Sequence, residues 1–191
     1  MEKLELKQIR KPFSFHMNKD ISVWVYLRDI FDKDYVLDMD VYLPSIGKNL
    51  QRPLVWTLHQ KQQLILSVLK EIKIPNVSVI QWEDDLEHSK PISERKIVIK
   101  VIDGKQRISA LIDFYQNKFP IEWEGKSYWY NDLDDWGQRA IWGYCVVGDV
   151  AYEYPDKMIS DEEKIAWFER INFAGTSQDE RHLASLKVKV G

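Results

Sequence analysis

Arg95 to Tyr115 reads R-K-I-V-I-K-V-I-D-G-K-Q-R-I-S-A-L-I-D-F-Y, and the change of rhythm inside it decides the fold. Ile97, Ile99 and Val101 alternate with Lys96, Val98 and Lys100, the two-residue period of a half-buried strand. That period stops at Asp103-Gly104. From Arg107 the apolar residues Ile108, Leu111, Ile112 and Tyr115 fall at helical spacing. The stretch therefore predicts strand, Asp-Gly turn and helix, with Lys105, Gln106 and Arg107 carried by the turn. The first turn of a helix leaves N–H groups unpaired at the positive end of its dipole, which suits an anion. Here two cationic side chains and an amide join that seat, and an Asp beside it suits a metal ion or an ordered water. The plain alternative is a solvated Asp-Gly turn, since this is a common turn pair.

Upstream, Gln51-Arg52-Pro53-Leu54-Val55-Trp56 leads into a second helix. Thr57 followed by Gln60 makes a capping box, and Leu64, Ile65, Val68, Leu69 and Ile72 form the buried stripe. Arg52 lies just before this helix, so it can be aimed at the same anion as Arg107, or stack on Trp56 with no ligand. Val36, Met39, Val41 and Leu43 suggest a strand, and Val77, Val79 and Ile80 another. Glu83 to Ser93 is acidic and polar and reads as a surface loop. Downstream, Phe119 to Trp129 predicts a hairpin about Glu124-Gly125, and Asn131 to Trp142 a small helix. Tyr144 to Tyr154 alternates as a strand; Ser160 and Glu163 then cap a helix carrying Ile165, Phe168 and Ile171. Asn172 to Thr176 is a polar turn, and Ser177 with Glu180 opens a last short helix. Residues 1–34 read as an N-terminal lead-in packed on the domain, basic at first and then a short strand about Phe13, Phe15 and Met17. Residues 35–191 read as one compact domain.

The composition, 45% hydrophobic and 13% aromatic over 191 residues, is that of a folded domain with a full core. Lys and Arg number 27 against 30 Asp and Glu, a net charge of -3, so any DNA contact would have to be local. Cys145 is the single cysteine, which excludes an internal disulfide and a cysteine zinc cluster. His16, His59, His88 and His182 are scattered, so no metal site is expected. No apolar run approaches membrane-spanning length and the first residues lack a signal peptide's order, so a cytoplasmic, membrane-free protein is expected. Walker, G-x-G-x-x-G, H-E-x-x-H and G-x-S-x-G motifs are absent.

Three segments in order remain: Gln51-Arg52 with Trp56; Ile102-Asp103-Gly104-Lys105-Gln106-Arg107; and Phe168 to Asn172 with Gly175-Thr176. Their order resembles the DGQQR-motif domain of the ParB/sulfiredoxin-like superfamily, the N-terminal part of GmrSD-type modification-dependent restriction enzymes and related phage-defence proteins. The likeness covers roughly residues 35–186. It implies an α+β fold, a mixed sheet with packed helices, in which the D-G-x-Q-R turn holds the phosphates of a nucleoside triphosphate with magnesium. It also implies nucleotide hydrolysis that regulates an HNH-type nuclease. Two departures stand out. Lys105 replaces the first Gln of the motif, and also the catalytic Cys of sulfiredoxins, which argues against that activity. The family's Asn-x-Gly-Gly-Thr segment reads Asn172-Phe173-Ala174-Gly175-Thr176. The sequence ends at Gly191, where a nuclease domain would be expected to follow, and shows no H-N-H constellation, so the chain alone is expected not to cut DNA.

Carried onto this sequence, the resemblance puts Asp103, Gln106 and Arg107 in the catalytic roles. Gln51, Arg52, Gly104, Lys105, Asn172 and Thr176 would bind the nucleotide. Arg107 and Arg52 would hold phosphate oxygens, because a planar guanidinium matches them at two points. Gln106 would orient phosphate or water, and Asp103 a magnesium-bound water or Arg107 itself. Three alternatives stay open. Asp103 and Arg107 can simply tie the turn to the Gln51-Arg52 loop. The chain can be a DNA-binding module using Lys96, Lys100 and the N-terminal basic residues, or a non-catalytic protein that binds a separate nuclease or defence partner.

Overall fold

The computed structural model describes residues 17–22, 36–84, 96–142 and 147–173, together with Phe15, Pro91 and Glu94. In chain order the elements are β1 (Met17–Ser22), β2 (Val36–Asp38), β3 (Tyr42–Leu43), β4 (Lys48–Asn49), α1 (Leu58–Leu69), β5 (Val77–Glu83) and β6 (Ile97–Asp103). Then follow α2 (Lys105–Tyr115), β7 (Ile121–Trp123), β8 (Lys126–Tyr128), a 3-10 turn at Tyr130–Asp132, α3 (Asp135–Trp142), β9 (Val147–Glu153) and α4 (Asp161–Phe173). Five strands form one mixed sheet in the order β1-β9-β5-β6-β2. β5 runs antiparallel to β6 and parallel to β9; β2 is parallel to β6 and β1 antiparallel to β9. The fold is α+β, as expected. The middle strand is β5, with β6 beside it.

The alternation in β6 has the consequence expected of it, and one more. Ile97, Ile99 and Val101 point to the face that also carries Val77, Val79 and Val150, and α1 and α2 cover it with Ile65, Val68, Ile108 and Phe114. On the other face Ile80, Ile102 and Ala151 meet Leu43 and Leu50, together with Ile165, Trp167 and Phe168 of α4. So the sheet is covered on both sides, which is why β5 is buried almost throughout. Each fully buried Ile, Leu or Phe contributes about 1.5–3 kcal/mol relative to exposure.

Local chemistry sets the element boundaries. Both capping boxes form: Thr57 Oγ1 accepts from the Gln60 N–H at 3.3 Å, and Ser160 Oγ from the Glu163 N–H at 3.2 Å. α1 stops at Leu69, short of the expected Ile72. Glu71 turns left-handed at φ 57, the Ile72 N–H reaches the Ser67 carbonyl, and the Glu71 N–H reaches that of Val68. This closing pair leaves Ile72 half-exposed instead of on the buried stripe. The strand expected from Val36 to Leu43 is broken, because Asp38 Oδ1 accepts the N–H groups of Asp40 and Val41 at 3.1 and 2.8 Å. The helix expected over Asn131 to Trp142 is divided in the same region into the 3-10 turn and α3. Glu83, expected in a surface loop, ends β5 and is buried. The hairpin at Glu124-Gly125 forms, with both residues at positive φ. β1 joins the lead-in to the main sheet; Lys3, Lys7, Arg10, Lys11 and the helix expected after Ser177 lie outside the described residues.

α1 and α2 are tied by a charged contact whose pH dependence is measurable. Lys61 Nζ lies 2.8 Å from Asp113, and Lys118 Nζ lies 3.0 Å from it. Burial pushes the Asp113 carboxyl up, but hydrogen bonds from Lys61 and Lys118 outweigh it and hold the group below the usual carboxylate range. A depressed carboxylate gives stability that is fully present above the unfolded value of about 3.9 and is lost as pH falls through the folded value. Asp113→Asn should therefore lower the melting temperature at pH 7 and narrow its gap to wild type as pH falls below about 4. A gap that is constant from pH 7 to pH 3 would contradict this.

Candidate functional site

β6 ends at Asp103, and α2 begins at Lys105, two residues before the sequence pattern alone suggests. Between them Gly104 takes φ 102, a left-handed conformation, and caps the helix without any side-chain hydrogen bond. A Cβ at this position would lie 2.5 Å from Val77 Cγ1 on the neighbouring strand. The Asp-Gly pair therefore lets the backbone reverse tightly against β5 and leaves the first-turn N–H groups without a side-chain cap.

The segment before α1 closes over this turn. Gln51, Arg52 and Trp56 from that segment, with Asp103 through Arg107, line one pocket of about 70 Å³. Two stretches fifty residues apart in sequence thus meet at one place, with both Arg52 and Arg107 on its wall. The volume leaves room for several waters or a phosphate group.

Most of the wall is already engaged. Asp103 Oδ2 accepts from Arg107 Nη2 at 2.7 Å, and the same nitrogen donates to the Asn76 carbonyl at 2.8 Å. Gln106 Oε1 accepts the N–H groups of Val55 and Trp56 at 3.1 and 3.2 Å, while its Nε2 donates to the Pro53 carbonyl at 3.0 Å. Gln51 Nε2 donates to the carbonyls of Val101 and Ile102. Lys105, almost wholly buried, pairs with Asp40. Two cationic groups are left over. Arg107 Nε is buried with no hydrogen-bond partner. Arg52 forms no ion pair or hydrogen bond among the described residues.

Of the third segment of the motif, the described part from Phe168 to Asn172 does not line the pocket. Asn172 is buried in α4 and donates Nδ2 to the Phe168 carbonyl at 2.7 Å, away from the pocket lining. Thr176 lies outside the described residues. Lys100 is tied to Glu153 on the α4 side of the sheet, and Lys96 is exposed at the start of β6. Two contributors had no local signal in the sequence. Asp40 meets Lys105 across 65 positions, and Asn76 offers only a backbone carbonyl.

Among the described residues no group of three or more His, Cys, Asp or Glu side chains could hold a metal. Among the described residues that line the pocket, Asp103 is the one carboxylate. That suits magnesium as it accompanies a nucleotide, held by one or two carboxylates with phosphate oxygens and water completing its shell. No described helix is long and apolar enough to cross a membrane.

No curated protein and no solved structure matches the chain. The family model described as GmrSD restriction endonuclease, N-terminal domain, matches residues 27–185, and that span contains every described residue of the pocket wall. The chain therefore belongs to the family of GmrSD restriction endonuclease N-terminal domains, components of restriction-type phage-defence systems.

Proposed function

We propose that the pocket takes the terminal phosphate of a magnesium-bound nucleoside triphosphate, and that its hydrolysis regulates a nuclease. The observation that carries this is Arg52, a guanidinium with no partner among the described residues, on the pocket wall beside the uncapped start of α2. Arg107 lines the same pocket, with its Nη2 already held by Asp103 and Asn76 and its Nε buried without a partner. An anion in the pocket would lie against Arg52, beside that held guanidinium.

Phosphoryl transfer needs neutralised charge and aligned groups more than covalent help from the protein. Arg52 and Arg107 would supply the charge. Asp103 holds Arg107 by its Nη2 and so fixes the direction of the guanidinium. When bound, magnesium would neutralise phosphate charge, with Asp103 the protein group placed to hold it or its water. Gln106, with its amide committed to residues 53–56, would act by positioning the segment that carries Arg52 rather than by touching water.

A second reading has an observation of its own. Asp103, Lys105, Gln106 and Gln51 are all bonded within the chain, which is what a purely structural hub would require. Arg52 separates the two. As a partly exposed side chain with no ion pair or hydrogen bond among the described residues, its removal should shift stability by less than about 0.5 kcal/mol. If it holds phosphate, Arg52→Ala should lose about 1.5–3 kcal/mol of binding, roughly ten- to 150-fold in Kd. Arg107→Ala should weaken binding as much and also destabilise the fold, since Asp103 loses its partner. The measurement is thermal shift and calorimetry with the four ribonucleoside triphosphates, with and without magnesium. Equal triphosphate affinity in wild type and Arg52→Ala would favour the hub.

A further inference from the structure

Among the described residues, two ion pairs involve the pocket wall, and they are not alike. Arg107 and Asp103 both line the pocket and both are mostly buried, with side chains 17% and 13% exposed. Lys105 also lines it, with a side chain only 7% exposed, but its partner Asp40 is not a wall residue and is 57% exposed. One pair is internal to the site. The other joins a buried ammonium to a carboxylate that largely faces water.

The backbone under that carboxylate is held at several points. Asp38 Oδ1 accepts the N–H groups of Asp40 and Val41, and the Asp40 carbonyl accepts the N–H of Gln51, itself a wall residue, at 3.1 Å. Val41, the next residue, is buried at φ 51, a left-handed conformation that is unfavourable for a β-branched side chain. Its carbonyl accepts the Leu50 N–H at 2.9 Å. The fold thus keeps a strained turn in the place that presents Asp40 to Lys105, and such strain persists only where the surroundings over-determine it.

We infer that Asp40 is a built-in competitor of the phosphate and sets the affinity of the site for anions, an assignment that rests on the reading of the pocket as a phosphate site. A buried ammonium needs an anion beside it, since its desolvation is offset only by a partner. Asp40 is that anion, yet a carboxylate more than half exposed stays well solvated when it turns into water. Exchanging it for a phosphate oxygen therefore costs little. Arg52 meets the ligand with its charge free, whereas Lys105 does so by exchange. While Asp40 holds it, the Lys105 charge is cancelled and anions bind more weakly than the wall's cations alone would allow.

The test is calorimetry of magnesium tripolyphosphate and magnesium ATP on the 191-residue chain at low salt, with wild type, Asp40→Asn, Lys105→Gln and the double variant. Asp40→Asn should bind both ligands about threefold to tenfold more tightly than wild type, and the gain should shrink as salt is raised. In the Lys105→Gln background the same change should gain less than about twofold. Without ligand, Asp40→Asn should melt earlier than wild type, and either ligand should raise its melting temperature by more than it raises wild type's. Asp40→Ser takes its place if the Asn variant does not fold. Unchanged or weaker binding by Asp40→Asn overturns the assignment. So does an equal gain in both backgrounds, which would mean that the carboxylate repels anions without holding Lys105 from them. Each of these leaves the phosphate reading standing. Binding of neither ligand, by wild type or by Asp40→Asn, overturns that reading and this one with it.

Discussion

Gly104→Ala is expected to lower unfolding stability by about 2–5 kcal/mol, the sum of a left-handed backbone penalty and an overpacking penalty. The first arises because φ 102 is a conformation that L side chains rarely adopt. The second arises because the new methyl would sit 2.5 Å from Val77 Cγ1 and 2.9 Å from its Cβ. Val77 is wholly buried in the middle strand and has no room to retreat. Gly125→Ala is the control. It also has positive φ, at 77, but meets nothing within 4 Å, so it should show the backbone penalty alone, about 1–2 kcal/mol. Urea melts of the two variants should differ in midpoint with similar slopes. Val77→Ala should recover part of the loss in the Gly104→Ala background, because it removes the nearer of the two clashing atoms. Equal costs at Gly104 and Gly125 would mean that the turn is not packed against β5 as described. Because the same turn sets Asp103 and Arg107, the variant should also lose triphosphate binding where it remains folded.

This glycine also marks how far the sequence can be read. The switch from period two to helical spacing either side of Asp103-Gly104 is local, and so are Thr57 with Gln60 and Ser160 with Glu163; all three form. The meeting of Arg52 with Arg107 is not local, yet the order of the motif segments pointed to it, and the two line one pocket. What stayed hidden is of two kinds. One is a side chain that captures nearby backbone, as Asp38 does, and so breaks a strand whose apolar pattern would otherwise run on. The other is a pairing of charges between distant positions. Lys105 reads as a cation free for phosphate, but its ammonium is held by Asp40. Glu83 reads as loop because it is acidic and followed by Asp84 and Asp85, but the sheet continues through it. Binary patterning treats every charge as solvent-facing, and buried ion pairs are where that assumption fails.

Glu153 is the largest such case, and removing it should cost more than any other charge change in the chain. It lies near the end of β9, wholly buried, and Ala151 two residues before it packs in the apolar core under α4. Its carboxylate meets Lys100 on β6 and Lys164 on α4, the latter at 3.0 Å, and accepts the Ile159 N–H at 3.1 Å. Three elements and the approach to α4 therefore converge on one side chain. Lys164 is itself only 8% exposed at the side chain, and its other carboxylate, Asp161, is 3.9 Å away, so taking away Glu153 leaves its ammonium one long contact in a poorly solvated place. Breaking a buried pair from one side typically costs 3–5 kcal/mol, so Glu153→Ala should destabilise by about that much. Glu153→Gln should recover little, because a neutral amide keeps one acceptor but cannot balance two ammonium groups. The contrast that isolates the electrostatic part is Glu153→Leu with both Lys100→Met and Lys164→Met. Replacing a buried ionic cluster by apolar groups of similar volume is often neutral or better, so the triple variant should be more stable than Glu153→Ala despite carrying more substitutions. Urea melts of the four proteins decide it. A loss under about 1 kcal/mol in Glu153→Ala would show that water reaches the cluster. A triple variant no better than Glu153→Ala would show that the cost is lost packing and not stranded charge. Either result would leave α4 held to the sheet by the apolar packing of Ile165, Trp167 and Phe168. In that case the arginine pocket, whose walls come from β6, α2 and the segment before α1, should keep its triphosphate affinity while the overall stability falls.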